Sequence, residues 1–174
     1  MSIKVEGKSV AEPISEIRIG MVRQIIKLEP NLNIKAVVVF GSVANGIVRD
    51  DSDLDYFLVK EEESDIGIAN GEDLKFKEKL EKVIGRVQAI PPLVKKHFLD
   101  KKPFFSFDAF VGLYLLSAMD IEEKLGPTIL GYRDRKKSFT EGYRVVARTP
   151  EDEEEIRNLI QERLNHVLGE YAKD

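Results

Sequence analysis

The tightest constraint on this chain lies between residues 36 and 59. An apolar run, Ala36 to Phe40, stops at Gly41-Ser42, and ten residues later Asp53-Leu54-Asp55 opens a second alternating run that ends at Val59. Short β-branched runs bounded by turn formers read as strands. Side chains at i and i+2 of a strand share a face, so Asp53 and Asp55 point one way while Leu54, Tyr56 and Leu58 point the other way, into a core. Two carboxylates on one face repel, and the arrangement is tolerable only where solvent or a cation screens them. Mg²⁺ suits such a pair, because it takes one or two carboxylates, several waters and substrate phosphate oxygens. Gly41 removes the side chain where a backbone must approach a ligand, and its neighbouring amides can face phosphate oxygens. Ser42 adds a short hydroxyl able to hydrogen-bond a phosphate. Asp50, Asp51 and Ser52 sit in the connection and favour a turn. Neither half of this pattern is specific alone. Joined to the end of one strand and the start of the next, the two halves describe a metal–nucleotide site.

Gly41-Ser42, a ten-residue spacer and Asp53-Leu54-Asp55 followed by apolar residues resemble the signature of the DNA polymerase β-like nucleotidyltransferase superfamily, and its small minimal members in particular. Those members often carry Gly-Ser-x-Ala-Arg-Gly; this chain reads Gly41-Ser42-Val43-Ala44-Asn45-Gly46, with Asn45 in place of the basic residue. The resemblance runs from the helix before the first strand through the second strand. It implies an α/β (α+β) fold with a mixed sheet flanked by helices. It also implies two divalent cations, Mg²⁺ by preference, and transfer of a nucleoside monophosphate from a nucleoside triphosphate. Under it Asp53 and Asp55 are metal ligands and catalytic residues, Gly41 and Ser42 hold phosphate, and a third acidic residue is expected on a later strand.

Composition sets the frame around that site. A length of 174 residues suits a single domain, with a core over about 13–125 and a C-terminal extension over about 126–174. A net charge of −4 argues against general nucleic-acid binding by an overall basic surface. The absence of cysteine excludes disulfides and thiolate metal sites. No segment reaches membrane-spanning length and the N-terminus lacks an apolar leader, so a cytoplasmic protein is expected.

In chain order, the residues up to Glu12 form an arm, and Pro13 opens a helix whose expected apolar stripe is Ile14, Ile17, Met21, Ile25 and Leu28, ended by Pro30. Glu61 to Glu63 face solvent. A second helix is expected over Glu72–Val87, with Phe76, Leu80, Val83, Ile84 and Val87 on one face. Pro91-Pro92 breaks it, and a short helix follows from Pro92 to Leu99. His97 and His166 read as surface or packing residues. Leu113 to Leu125 is helical and Gly126-Pro127 closes it. Strands are expected at Ile129-Leu130 and Tyr143–Ala147 around the basic residues Arg133, Arg135, Lys136 and Lys137. Thr149 caps a last amphipathic helix with Pro150 in its first position and acids in its first turn. Its stripe is Ile156, Leu159, Ile160, Leu164, Val167, Leu168 and Tyr171, and it docks on the domain or on a second copy.

The candidate for the third acid is Asp108, within Lys102–Val111. Read as a strand, this segment puts Phe105, Phe107, Ala109 and Val111 on one face and Ser106 and Asp108 on the other. Beside the Asp53–Asp55 strand it would bring Asp108 to the same metal pair. Read as a helix start, Ser106 caps and Asp108 lies in the first turn. The expected function is metal-dependent transfer of a nucleotide to an unidentified hydroxyl acceptor. The alternative, marked by Asn45, is a catalytically weak nucleotide-binding regulator or an antitoxin-type protein acting with a partner.

Overall fold

The structure is a computed structural model, described here for residues 11–46, 48–61, 71–89, 92–95, 99 and 142–171. The N-terminal arm, most of the acidic stretch after Lys60, His97, the whole of 102–125 with Asp108, Ile129-Leu130 and the basic residues at 133–137 lie outside the described residues. Four helices and five strands are described: α1 (Ala11–Leu28), β1 (Ala36–Phe40), α2 (Gly41–Ala44), β2 (Leu54–Lys60), α3 (Gly71–Ile84), β3 (Val87–Ala89), β4 (Leu93–Val94), β5 (Arg144–Ala147) and α4 (Pro150–Tyr171).

The strands form one mixed sheet in the order β3-β2-β1-β5, with β4 also on β2. β1 runs antiparallel to both neighbours, pairing Ala36 with Val59 and with Ala147. β3 and β4 lie parallel to β2 along the same edge, β3 beside Leu54–Tyr56 and β4 beside Val59-Lys60. Pro92 falls between these two short ladders, where a residue lacking an N–H cannot continue one. β1 is covered on both faces, which is why it is a continuous apolar run rather than an alternating one. Val38, Phe57, Val59, Val145 and Ala147 meet Ile156, Ile160 and Leu164 of α4 on one side. On the other, Val37, Val39, Leu54, Tyr56 and Leu58 meet Ile19, Val22, Ile25 and Ile26 of α1 and Phe76 and Leu80 of α3. Helices thus flank a mixed sheet, as the resemblance implied.

The last helix starts where its cap residues placed it, with Asp152 N–H donating to Thr149 Oγ1 at 3.2 Å. It packs on the sheet of its own chain. Three expectations are corrected. The buried face of α1 contains Ser15, Arg18, Ile19, Val22, Ile25 and Ile26, whereas Ile17 and Leu28 are 57% and 71% exposed. Apolar residues surround most of this helix, so several stripes were available, and a buried arginine and serine disguised the true one. The second helix ends at Ile84 and not at Val87, because Gly85 adopts φ +96° and its N–H closes on Glu81 O at 2.9 Å. Val87 belongs to β3, a three-residue strand too short to show a periodicity. Leu93-Val94 are strand where a helix from Pro92 was expected. Among the described residues no helix is long and apolar enough to cross a membrane.

Candidate active site around the Gly41 bend

β1 and α2 join without a linker: Phe40 is extended, with φ −134° and ψ −170°, and Gly41 turns the chain at φ +69°. Phe40 is paired with Asp55 across the antiparallel ladder, so the turn leaves the sheet beside that aspartate. A Cβ on residue 41 would lie 2.5 Å from Asp55 Oδ2. Glycine is therefore required twice here, for the backbone conformation and for the carboxylate seated against it. Asn45 closes the turn, its main-chain N–H and its side-chain Nδ2 both donating to Gly41 O, at 3.1 and 3.0 Å. Ser42 occupies the first turn of α2, half-buried, directly after the bend.

The approach to Asp53 is held from below. Arg18, buried on α1, donates from Nη1 to Ser52 O at 2.9 Å and reaches Asp50 O from Nη2 at 3.4 Å. Ser52 Oγ accepts from Arg49 N–H at 2.9 Å, and Ser52 N–H donates to Arg49 O at 3.0 Å. Leu54 N–H donates to Arg86 O at 3.0 Å, which ties the start of β2 to the start of β3. α1 thus does more than supply core residues: through Arg18 it sets where the connecting loop delivers Asp53.

The charge of the pair is only partly compensated, by Arg86 at Asp53. Burial, and secondly the charge of Asp53, push the Asp55 carboxyl above the ordinary carboxylate range. Asp53 Oδ1 is a buried oxygen that receives no hydrogen bond. Arg86 Nε lies 2.9 Å from it, an ion-pair distance without hydrogen-bond alignment. An orphaned carboxylate oxygen beside a second, half-buried carboxylate is a donor set that fits a hard divalent cation completed by waters and phosphate oxygens. Among the described residues, the sheet supplies no third acid next to Asp55. Its two neighbours in register are Phe40 on β1 and Gln88 on β3. Among the described residues no group of three potential metal-ligating side chains is assembled, and Asp108 lies outside them.

Sequence reading missed four residues of this neighbourhood. Asn45 was noted only as a missing cation, although its amide has a task in the bend. Arg18 could have been suspected as a charge on a face that otherwise reads apolar. Arg86 and Gln88 carried no local signal, because only the β2–β3 register brings them to the aspartates. A cleft of about 530 Å³ between α1 and the start of α4 does not include the aspartates. Its lining carries more cations than acids, and Glu153 is shared by Arg23 at 3.4 Å and Arg157 at 3.2 Å. Arg148 donates to the carbonyls of Ile26, Glu29 and Leu32 at the end of α1, at 2.8, 2.7 and 3.2 Å.

No curated protein matches the sequence significantly. A solved structure of a candidate nucleotidyltransferase from Sulfolobus solfataricus is similar at 23% identity, covering 55% of this chain and 83% of that one, with a TM-score of 0.37. Residues 23–102, somewhat under half of the chain and including Gly41, Ser42, Asp53, Asp55 and Arg86, match the family model of the polymerase beta nucleotidyltransferases, the group that the Gly-Ser bend and the paired aspartates resemble.

Proposed function

We propose that this chain is a Mg²⁺-dependent nucleotidyltransferase that moves a nucleoside monophosphate from a nucleoside triphosphate, such as ATP, to a hydroxyl-bearing acceptor. The observation that carries the proposal is the Gly41 bend seated against Asp55, beside an Asp53 oxygen with no hydrogen bond. Asp53 and Asp55 would hold the divalent cations. Bound there, the metal supplies Lewis acidity to the acceptor hydroxyl and positive charge to the departing pyrophosphate. The chain's own groups do the rest. Gly41, bare of a side chain, admits the phosphates to the bend, and the Ser42 hydroxyl donates to one of their oxygens. Arg18 and Asn45 keep the two walls of the site in place through the carbonyls they bind. Asp108, which lies outside the described residues, would be the third carboxylate, helping to hold the metal and taking the acceptor's proton.

The test is incubation of the purified protein with α-labelled ATP, Mg²⁺ and cell lysate. Label should move to a protein, RNA or small molecule, and Asp53→Asn or Asp55→Asn should abolish the transfer while leaving the circular dichroism spectrum unchanged. Transfer that persists in either variant refutes the ligand assignment.

A second reading is favoured by Asn45 and Gln88, two neutral amides where a cation and an acid would strengthen catalysis. On that reading the chain binds nucleotide without turnover, as a regulator or the antitoxin-type half of a two-protein module. Saturable nucleotide binding without pyrophosphate release distinguishes it.

A further inference from the structure

Arg86 stands apart from the other basic residues near the aspartates. Arg18 is committed to main-chain carbonyls, and Asn45, at the position where a cation was expected, is neutral and bound to Gly41 O. The Arg86 backbone is anchored on both sides, by the left-handed Gly85 before it and by its carbonyl, which accepts from Leu54 N–H. Its side chain is 76% exposed and, among the described residues, makes one polar contact, to Asp53 Oδ1 at 2.9 Å. A fixed Cα beneath an exposed guanidinium, paired only with Asp53 among the described residues, is a tether that lets the charge move without moving the fold. A divalent cation taken up by Asp53 would repel this guanidinium at the distance it now holds. The planar fork of an arginine, once released, matches phosphate oxygens.

We propose that Arg86 is an exchangeable counterion, which neutralises Asp53 in the metal-free protein and moves onto the phosphates of the nucleotide when a divalent cation takes the aspartate pair. The proposal rests on the functional reading above and deepens it. It supplies the phosphate-binding cation that Asn45 cannot be, and it makes metal binding the event that releases that cation.

The exchange has an opposite-sign signature. Mn²⁺ is titrated into wild-type and Arg86→Ala protein without nucleotide, with free ion followed by electron paramagnetic resonance. A non-hydrolysable α,β-methylene ATP analogue is then titrated at saturating Mn²⁺ and followed by calorimetry. Loss of the competing cation should tighten Mn²⁺ binding about two- to fivefold, the range of an exposed ion pair. Loss of the phosphate contact should weaken the analogue by about 10- to 100-fold, the range of a charge-assisted hydrogen-bonding contact, with Arg86→Lys falling between. Unchanged or weaker Mn²⁺ binding in Arg86→Ala, or an analogue affinity within about twofold of wild type, overturns the exchange. Asp53→Asn serves as the control that separates the two levels. If wild type binds Mn²⁺ and Asp53→Asn does not, failure of the Arg86 signature sinks the exchange alone. If wild type binds neither Mn²⁺ nor the analogue, the functional reading falls and the exchange with it.

Discussion

Replacing Gly41 by alanine changes two things at the bend, and their costs can be separated. The first is conformational. An L-residue at φ +69° loses about 1–2 kcal/mol relative to glycine, which for a chain of this length lowers the melting temperature by about 2–8 °C. The second is steric. The new methyl would sit 2.5 Å from Asp55 Oδ2 and 3.4 Å from Asp55 Cγ. The Asp55 backbone is locked in the ladder opposite Phe40, so the carboxylate is the part that gives way, swinging off the bend and away from Asp53. Gly85→Ala provides the control. It carries a comparable backbone penalty at φ +96°, but nothing lies within 4 Å of its Cβ. Urea denaturation should therefore show both variants destabilised by about 1–2 kcal/mol. Mn²⁺ binding, measured on the folded proteins, should fall at least about tenfold in Gly41→Ala, since one of two carboxylate ligands has been turned out, and hold in Gly85→Ala. If Gly41→Ala binds Mn²⁺ as tightly as Gly85→Ala, Asp55 is not a ligand in the position described, and the reasoning that joins the bend to the carboxylate pair fails.

The Asp55 carboxyl also gives the metal-free protein a pH signature. Its folded pKa is raised above the ordinary value of 3.8, so the folded state holds the proton more tightly than the unfolded chain, and stability is lost as the pH climbs from that value through the raised one. Carboxylates two strand residues apart, roughly 6.6 Å, repel by about 0.6 kcal/mol in water and about 2.5 kcal/mol at an effective dielectric of 20. Without metal, Asp55→Asn should accordingly gain on wild type as the pH rises from 4 to 7, burial contributing more than Asp53, read as a widening gap in urea midpoints; a gap that narrows or reverses refutes the raised pKa. The buried ion pair Lys60–Asp73, 3.1 Å long with side chains 1% and 6% exposed, joins β2 to the first turn of α3. Lys60→Met should cost about 3–5 kcal/mol in denaturant unfolding, and Lys60→Met with Asp73→Leu should recover most of it. A single variant as stable as wild type would show that the pair is not desolvated in solution.

How much of this was legible in the sequence depended on the range of the interaction that decides it. The ends of β1, the Gly41 bend and the cap of α4 are set by neighbours a few residues away, through chain alternation, a required positive φ and the Thr149 hydroxyl. The closeness of Asp53 and Asp55 follows from their spacing at the start of β2, with Asp53 just ahead of the strand. The rotation of α1 was not legible, because Ile17 and Leu28 look as buriable as Ile19 and Ile26 until the sheet selects a face. β3 was read as the end of a helix, because three residues carry no period and its strand character comes entirely from pairing with Leu54–Tyr56.

The primary structure by itself determined which carboxylates stand together and which glycine must bend before them, since both are consequences of local backbone stereochemistry. Tertiary structure alone decided what surrounds them: the buried Arg18 under the loop, Phe40 and Gln88 on either side of Asp55, and Arg86 at the lip beside Asp53. Those contacts join positions up to 34 residues apart, and only the register of one strand against another, with a helix packed beneath, brings them within reach.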